Sequence, residues 1–149
     1  MKLDDTNKAI IKELNNGRRA FSTIAEKIGI TENTVRSRVN KLIEDRVLHI
    51  SGLVNPQFVP EMQVVVMGIK LSTLNLEDKA KEVLKLKGVI SVMVVTGRYD
   101  LIAQIATSTN DDQSLLNFFK NELSKVKGVS DVETFVVYQS HNYMIPYIL

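Results

Sequence analysis

Residues 20–46, AFSTIAEKIGITENTVRSRVNKLIEDR, decide the fold. Ile24, Ala25 and Ile28 make an apolar stripe at helical spacing, and Gly29 stops that helix as a residue free to take a positive φ. Thr31 can cap the next helix through its hydroxyl. Val35, Val39, Leu42 and Ile43 then fall at i, i+4, i+7 and i+8 and predict one buried face. Asn33, Thr34, Ser37, Asn40 and Lys41 lie opposite, with Arg36 and Arg38 at the margins of the stripe. Ala25 is small where two helices would cross closely. Two short helices, a tight turn and a polar, basic outer face on the second make a helix-turn-helix whose second helix enters the DNA major groove. The plainer alternative is a helical hairpin with a solvated charged face.

Outward from this stretch, Asp4 or Asp5 opens an earlier helix, with Leu3, Ile10, Ile11 and Leu14 inside and Gly17 as a left-handed cap. Three helices in about 45 residues bury only a small core. Val47 to Val54 has strand character and reads as a wing or as the start of a linker. His49 reads as a half-exposed strand histidine. Pro56 and Pro60 interrupt both helix and sheet, which places a boundary there. The expected domains are therefore 1–46 (DNA binding), 47–61 (strand linker) and 62–149.

The third part changes character. Residues 63–71 and 89–97 read as strands, 76–88 as a helix ended by Gly88, and 99–107 as a third strand. Gly97-Arg98 makes the hairpin turn between the second and third. Asp111 and Asp112 start a further helix with Leu115, Leu116, Phe118, Phe119 and Leu123 mostly inward, and 129–139 is a fourth strand. An internal echo supports this order. KLKGVISV (85–92) and KVKGVSDV (125–132) share K-x-K-G-V-x-x-V, each ending a helix at Gly and starting a strand at Val. Two β-α-β halves predict a ferredoxin-like βαββαβ domain with both helices on one face, and so an α+β chain overall. The bare face needs a cover, most simply the same sheet of a second copy. The tail SHNYMIPYIL (140–149) is apolar enough to dock on its own domain or on a partner.

Charge agrees with this division. Residues 1–55 carry 10 Lys/Arg against 7 Asp/Glu, a net of +3, whereas 56–149 carry 9 against 10, a net of −1. A mildly basic N-terminal part suits nucleic acid. The absence of cysteine excludes disulfides, zinc–thiolate sites and thiol nucleophiles. With two histidines, no paired metal ligands and no Gly-rich phosphate loop, no enzyme, metal or cofactor is expected. Asp111-Asp112 at a helix start reads as capping rather than as a metal pair. No apolar run reaches membrane-span length, and MKLDDTNKAI lacks the apolar core of a signal peptide, so a soluble cytoplasmic protein is expected.

The order helix-turn-helix, short strand linker, βαββαβ resembles the Lrp/AsnC (feast/famine) family of transcription regulators. LDDTNKAIIKELNNGR (3–18) is similar to the family's opening helix, and IAEKIGITENTVRSRVNKL (24–42) to its helix-turn-helix. TGRYDLIAQI (96–105) is similar to its Gly-x-Tyr-Asp hairpin, where members bind an effector, usually an amino acid. The resemblance implies a sequence-specific regulator of double-stranded DNA, a homodimer that builds larger homo-oligomers, tuned by such an effector. An architectural DNA-compacting protein without an effector is the competing reading. One departure is Arg46, where many members have Gly. A non-glycine residue in a left-handed cap costs about 1–2 kcal/mol, so the third helix is expected to end differently.

Two sets of candidate residues follow. For DNA, Asn33, Thr34, Ser37 and Lys41 face the groove, because Asn can read adenine bidentately and Ser or Thr can read either edge. Arg36 and Arg38 suit phosphate or guanine, and Lys41 phosphate. Ser22 and Thr23 sit at a helix start, where backbone N–H groups attract phosphate. For the effector, Gly97 lets the chain turn and present N–H groups to a carboxylate, Asp100 meets an α-ammonium, and Arg98 or Tyr99 meets the side chain. Spacing alone makes this a plain hairpin, and the resemblance makes it a ligand site. Thr134 is added on the resemblance alone.

Overall fold

The computed structural model describes residues 3–109 and 114–148. The chain forms two compact units, Met1–Ser51 and Gly52–Leu149, and the division lies within the segment read from sequence as the linker.

The first unit holds three helices, α1 (Asp5–Leu14), α2 (Phe21–Ile28) and α3 (Glu32–Glu44). Asp4 caps α1 by accepting the Asn7 N–H at 2.7 Å, and Thr31 caps α3 by accepting that of Thr34 at 3.2 Å. Gly29 ends α2 at φ +78°, a left-handed conformation that glycine adopts without strain. Ile10, Ile24, Ala25, Val35 and Val39 form the core, with Leu42 fully enclosed. Each such side chain stabilises by about 1.5–3 kcal/mol on leaving water.

Three expectations fail here. Ile43 is exposed, so the α3 stripe is Val35, Val39 and Leu42. Gly17 is not in the left-handed region; α1 stops at a right-handed Asn15, whose N–H turns back to Lys12 O. Arg46 does take the glycine conformation, at φ +57°. Val47 and Leu48 both donate to Leu42 O, so α3 ends as a glycine-terminated helix would. Two backbone bonds to one carbonyl hold the strained residue in place.

The second unit opens with β1 (Leu53–Val54), a 3-10 turn (Pro56–Phe58) and β2 (Met62–Leu71). The expected strand 47–54 is reduced to those two residues, and among the described residues it forms no wing. β1 pairs instead with β6 (Ile145–Pro146), which docks the apolar tail on its own unit. Then come α4 (Leu76–Leu84), β3 (Val89–Val94), β4 (Leu101–Ser108), α5 (Leu115–Asn117) and β5 (Val129–Val136). The sheet order is β3-β4-β2-β5, every pair antiparallel, which is the ferredoxin-like arrangement. Val65, Met67 and Ile69 of β2 join Leu101, Ala103 and Ile105 of β4 under Val83, Phe118 and Leu123 of the helices.

The helices are shorter than expected. α4 ends at Leu84 rather than at Gly88, which serves the following turn at φ +88°. α5 continues as a π-helical turn (Phe118–Glu122) and a 3-10 turn (Leu123–Lys125). The π turn adds a residue, so Phe118 and Leu123 point inward five apart while Leu116 is exposed. Asp111 and Asp112 lie outside the described residues; Ser114 caps α5 by accepting the Asn117 N–H. The β3–β4 connection is a six-residue loop, 95–100, rather than a tight turn, closed by Val95 N–H to Asp100 O at 3.0 Å. Gly97 takes φ +119° in it.

Candidate nucleic-acid interface and hairpin site

α3 presents Asn33, Arg36, Ser37, Asn40, Lys41 and Glu44 along one shallow, solvent-facing groove. Asn33 and Ser37 are exposed. Arg36 is tied to Glu32 at 2.7 Å and lies over the Phe21 ring at 5.4 Å, so its guanidinium is held level with the groove. Lys41 is loosely paired with Asp45 at 3.7 Å. Asn40 and Glu44 extend the candidate set. The helical spacing Asn33, Arg36, Asn40, Glu44 marks both in the sequence. The Thr34 hydroxyl is engaged with Thr31 Oγ1 at 2.8 Å, within the cap. Ser22 and Thr23 are exposed at the start of α2, whose N-cap, Ala20, offers no side-chain acceptor to the first N–H groups.

Arg38 stands apart from this groove. Its Nη1 donates to Asp4 Oδ2 at 2.6 Å and to Asn7 Oδ1 at 3.0 Å, bracketing α3 to α1. Asn7 is buried, so this bond supplies a partner that water cannot. The guanidinium beside Asp4, aided by the Asn7 N–H, holds the Asp4 carboxyl below its ordinary range. A lowered folded pKa means that the stabilisation is complete above the unfolded value of about 3.9 and is lost as pH falls through the folded value. Acidifying from about pH 5 to pH 3 is therefore expected to lower the melting temperature of the first unit more in wild type than in Arg38→Ala. Thermal melts at the two pH values check this, and equal slopes would remove the bracket from the account.

At the 95–100 loop, the Tyr99 ring lies flat on Gly68, so close that a Cβ there would meet it at 2.6 Å. A glycine inside a strand signals such an approach. By register, Gly68 shares the face away from the helices with Val66, Ile102, Met93 and Phe135. The Tyr99 hydroxyl is buried without a hydrogen-bond partner. Arg98 stacks over Tyr99 at 5.3 Å and reaches Glu133 at 3.6 Å. Asp100 turns inward: Oδ2 accepts the Leu71 N–H at 2.8 Å and Oδ1 meets Lys70 Nζ at 3.3 Å. The Leu71 N–H, with Lys70 behind it, holds the Asp100 carboxyl below its ordinary range. Thr134 pairs with Met67 on the helix-covered face and is not brought together with Tyr99.

The face away from the helices is only partly bare. Ile145, with Val54 and Tyr143 beside it, covers Val64 and Ala106 at one end. Tyr99 covers Gly68 at the other. Between them Met93 and Phe135 remain 43% and 51% exposed. Among the described residues no group of three or more His, Cys, Asp or Glu could hold a metal, and no helix is long and apolar enough to cross a membrane.

Two family models match the chain: an AsnC-type helix-turn-helix domain over residues 3–43 and an Lrp/AsnC ligand binding domain over 64–145. An uncharacterized HTH-type transcriptional regulator of Pyrococcus abyssi is 30% identical over 139 residues, covering 92% of this chain and 87% of that protein. The crystal structure of PH0061 superposes with a TM-score of 0.82 at 19% identity, covering 97% of this chain and 99% of that one. A complex of the transcriptional regulator NMB0573 of Neisseria meningitidis with L-Met gives 0.72 at 20% identity, covering 99% and 96%.

Proposed function

The chain belongs to the Lrp/AsnC family of transcription regulators, and on that premise we propose that it is a sequence-specific reader of double-stranded DNA whose assembly is set by a small amino-acid effector. The outer face of α3 carries the reading. Asn33, Ser37 and Asn40 are short polar groups able to read base edges, between Arg36 and Lys41, which suit phosphate. The uncapped start of α2 adds backbone donors for a further phosphate. Arg38 serves as a brace that fixes the angle of α3.

Dimerisation through the bare middle of the sheet face supports the same reading, since Val66, Ile102, Met93 and Phe135 form an apolar patch that a second sheet would cover. An effector at Gly97, Arg98 and Tyr99 is supported by the exposed Arg98 guanidinium over the Tyr99 ring, in a loop where Gly97 takes φ +119°. Asp100 then acts by bracing the loop through Leu71 and Lys70 rather than by gripping the ligand. Thr134 faces the other side of the sheet and acts on the site through packing alone. Such a ligand shifts DNA binding only by its difference in affinity between two assemblies. A cytoplasmic protein follows from this role.

Binding to duplexes of different sequence tests the assignment. Arg36→Ala is expected to weaken binding to all of them and to lower the salt slope by about one unit. Asn33→Ala is expected to cost about 1–3 kcal/mol on the preferred sequence and little elsewhere. Wild-type binding by both variants, with helices intact, would remove α3 as the reading helix.

A further inference from the structure

A cavity of about 200 Å³ opens at the end of the sheet remote from the 95–100 loop. Its walls include Lys87, Ala106, Thr107, Phe118, Asn121 and Glu122. Leu101 to Ala106 along β4 puts it about 17 Å from the loop end of that strand. An apolar cavity of about 150 Å³ holds benzene, so about eight non-hydrogen atoms fit here.

Its polar groups select a class of ligand. The Glu122 carboxylate is already engaged: Oε1 takes Lys125 Nζ at 2.7 Å and Oε2 accepts the Lys87 backbone N–H at 3.1 Å. Lys125, then the Lys87 N–H, holds its carboxyl below the ordinary range, so it is ionised. Among the described residues the Lys87 ammonium helps to hold the Glu122 carboxyl down from a distance without a direct ion pair to it, and the Asn121 amide, also exposed, makes no hydrogen bond. The Thr107 hydroxyl donates to Gln63 O at 3.3 Å and is left as an acceptor. Phe118 supplies an apolar floor at the π turn. Among the described residues around the cavity, two lysines stand against one glutamate, beside an unengaged amide donor. An anion is favoured at the Lys87 ammonium, whereas the ammonium of an amino acid would meet like charge there.

We propose that this cavity binds a small monocarboxylate without an amino group, best a short 2-oxo acid. Its carboxylate sits on the Lys87 ammonium, its keto oxygen on the Asn121 amide and its alkyl chain on Phe118. This is a second small-molecule site, of different chemistry from the amino-acid site at the 95–100 loop.

The test uses the isotope-labelled full chain and two ligands with the same carbon skeleton, 2-oxobutanoate and 2-aminobutanoate. 2-Oxobutanoate is expected to shift the amide signals of Lys87, Thr107 and residues 117–122, with affinity about tenfold or more above that of 2-aminobutanoate. Lys87→Gln, an exposed substitution that keeps the fold, is expected to weaken it about tenfold or more, and Asn121→Ala by less. Asp100→Asn, at the other site, should leave it unchanged. Equal affinity for the two ligands, unchanged affinity in Lys87→Gln, shifts confined to 95–100, or no shift at about 10 mM ligand would each overturn the proposal.

Discussion

Ile24→Ala is expected to unfold the helix-turn-helix unit and abolish DNA binding while leaving the second unit folded. Ile24 is fully enclosed among Ile10, Ala25, Val35 and Val39. Truncating such a side chain costs about 2–5 kcal/mol, because lost burial is joined by a cavity the neighbours only partly fill. A core this small supplies about 3–5 kcal/mol in total, so the loss consumes most of the unit's stability. Ile24→Val removes one methylene, costs about 0.5–1.5 kcal/mol and should keep binding. Two-dimensional amide spectra check this. Signals from residues 3–51 should collapse in Ile24→Ala while those of the sheet unit persist. A folded variant with wild-type DNA affinity would contradict the packing described for α2.

Gly88→Ala is expected to destabilise the second unit by about 2–5 kcal/mol, and Gly128→Ala by only about 1–2. The two glycines occupy equivalent places in the K-x-K-G-V repeat and have nearly the same backbone, φ +88° and +87°. Strain from a left-handed alanine is thus common to both. The surroundings differ. A Cβ on Gly88 would meet the backbone oxygen of Ala106 at 2.7 Å, and that strand is fixed by Ala106 N–H to Gly88 O at 2.8 Å. A Cβ on Gly128 meets only Ser72 Oγ at 3.5 Å and Thr73 Cγ2 at 3.9 Å, which are ordinary contacts. Denaturant midpoints of the second transition measure the difference. Equal losses would show that the repeat packs symmetrically after all.

Much of the fold was legible because it is periodic. The stripes of α2 and α3, the caps Asp4 and Thr31, and the turns at Gly29, Gly88 and Gly128 are local features. The repeat around Gly88 and Gly128 carries the βαββαβ order without reference to any long-range contact. What escaped depends on distant partners. Arg38 looked like a phosphate ligand because nothing local marks Asp4 and Asn7 as its partners, 34 and 31 residues away. Nothing local to Asp100 shows that both its oxygens are engaged from β2, 29 and 30 residues back. Nothing in the sequence around Thr134 shows that its face of β5 packs on the helices. The inward pair Phe118 and Leu123 breaks the 3.6-residue period, since a π turn is invisible to a stripe drawn at 100° per residue. Arg46 shows the reverse: a propensity rule that expects glycine is overridden by two backbone bonds to Leu42.

The central claim is that α3 reads DNA sequence in a two-fold assembly. Selection of bound duplexes from a random library by the full chain tests it most directly. The enriched sequences should share an inverted repeat whose half-sites lie about one helical turn, 10–10.5 base pairs, apart, and Asn33→Ala should relax the preference at one position in each half-site. Recovery of duplexes with no shared sequence, or the same motif recovered by a chain lacking residues 3–51, would contradict it.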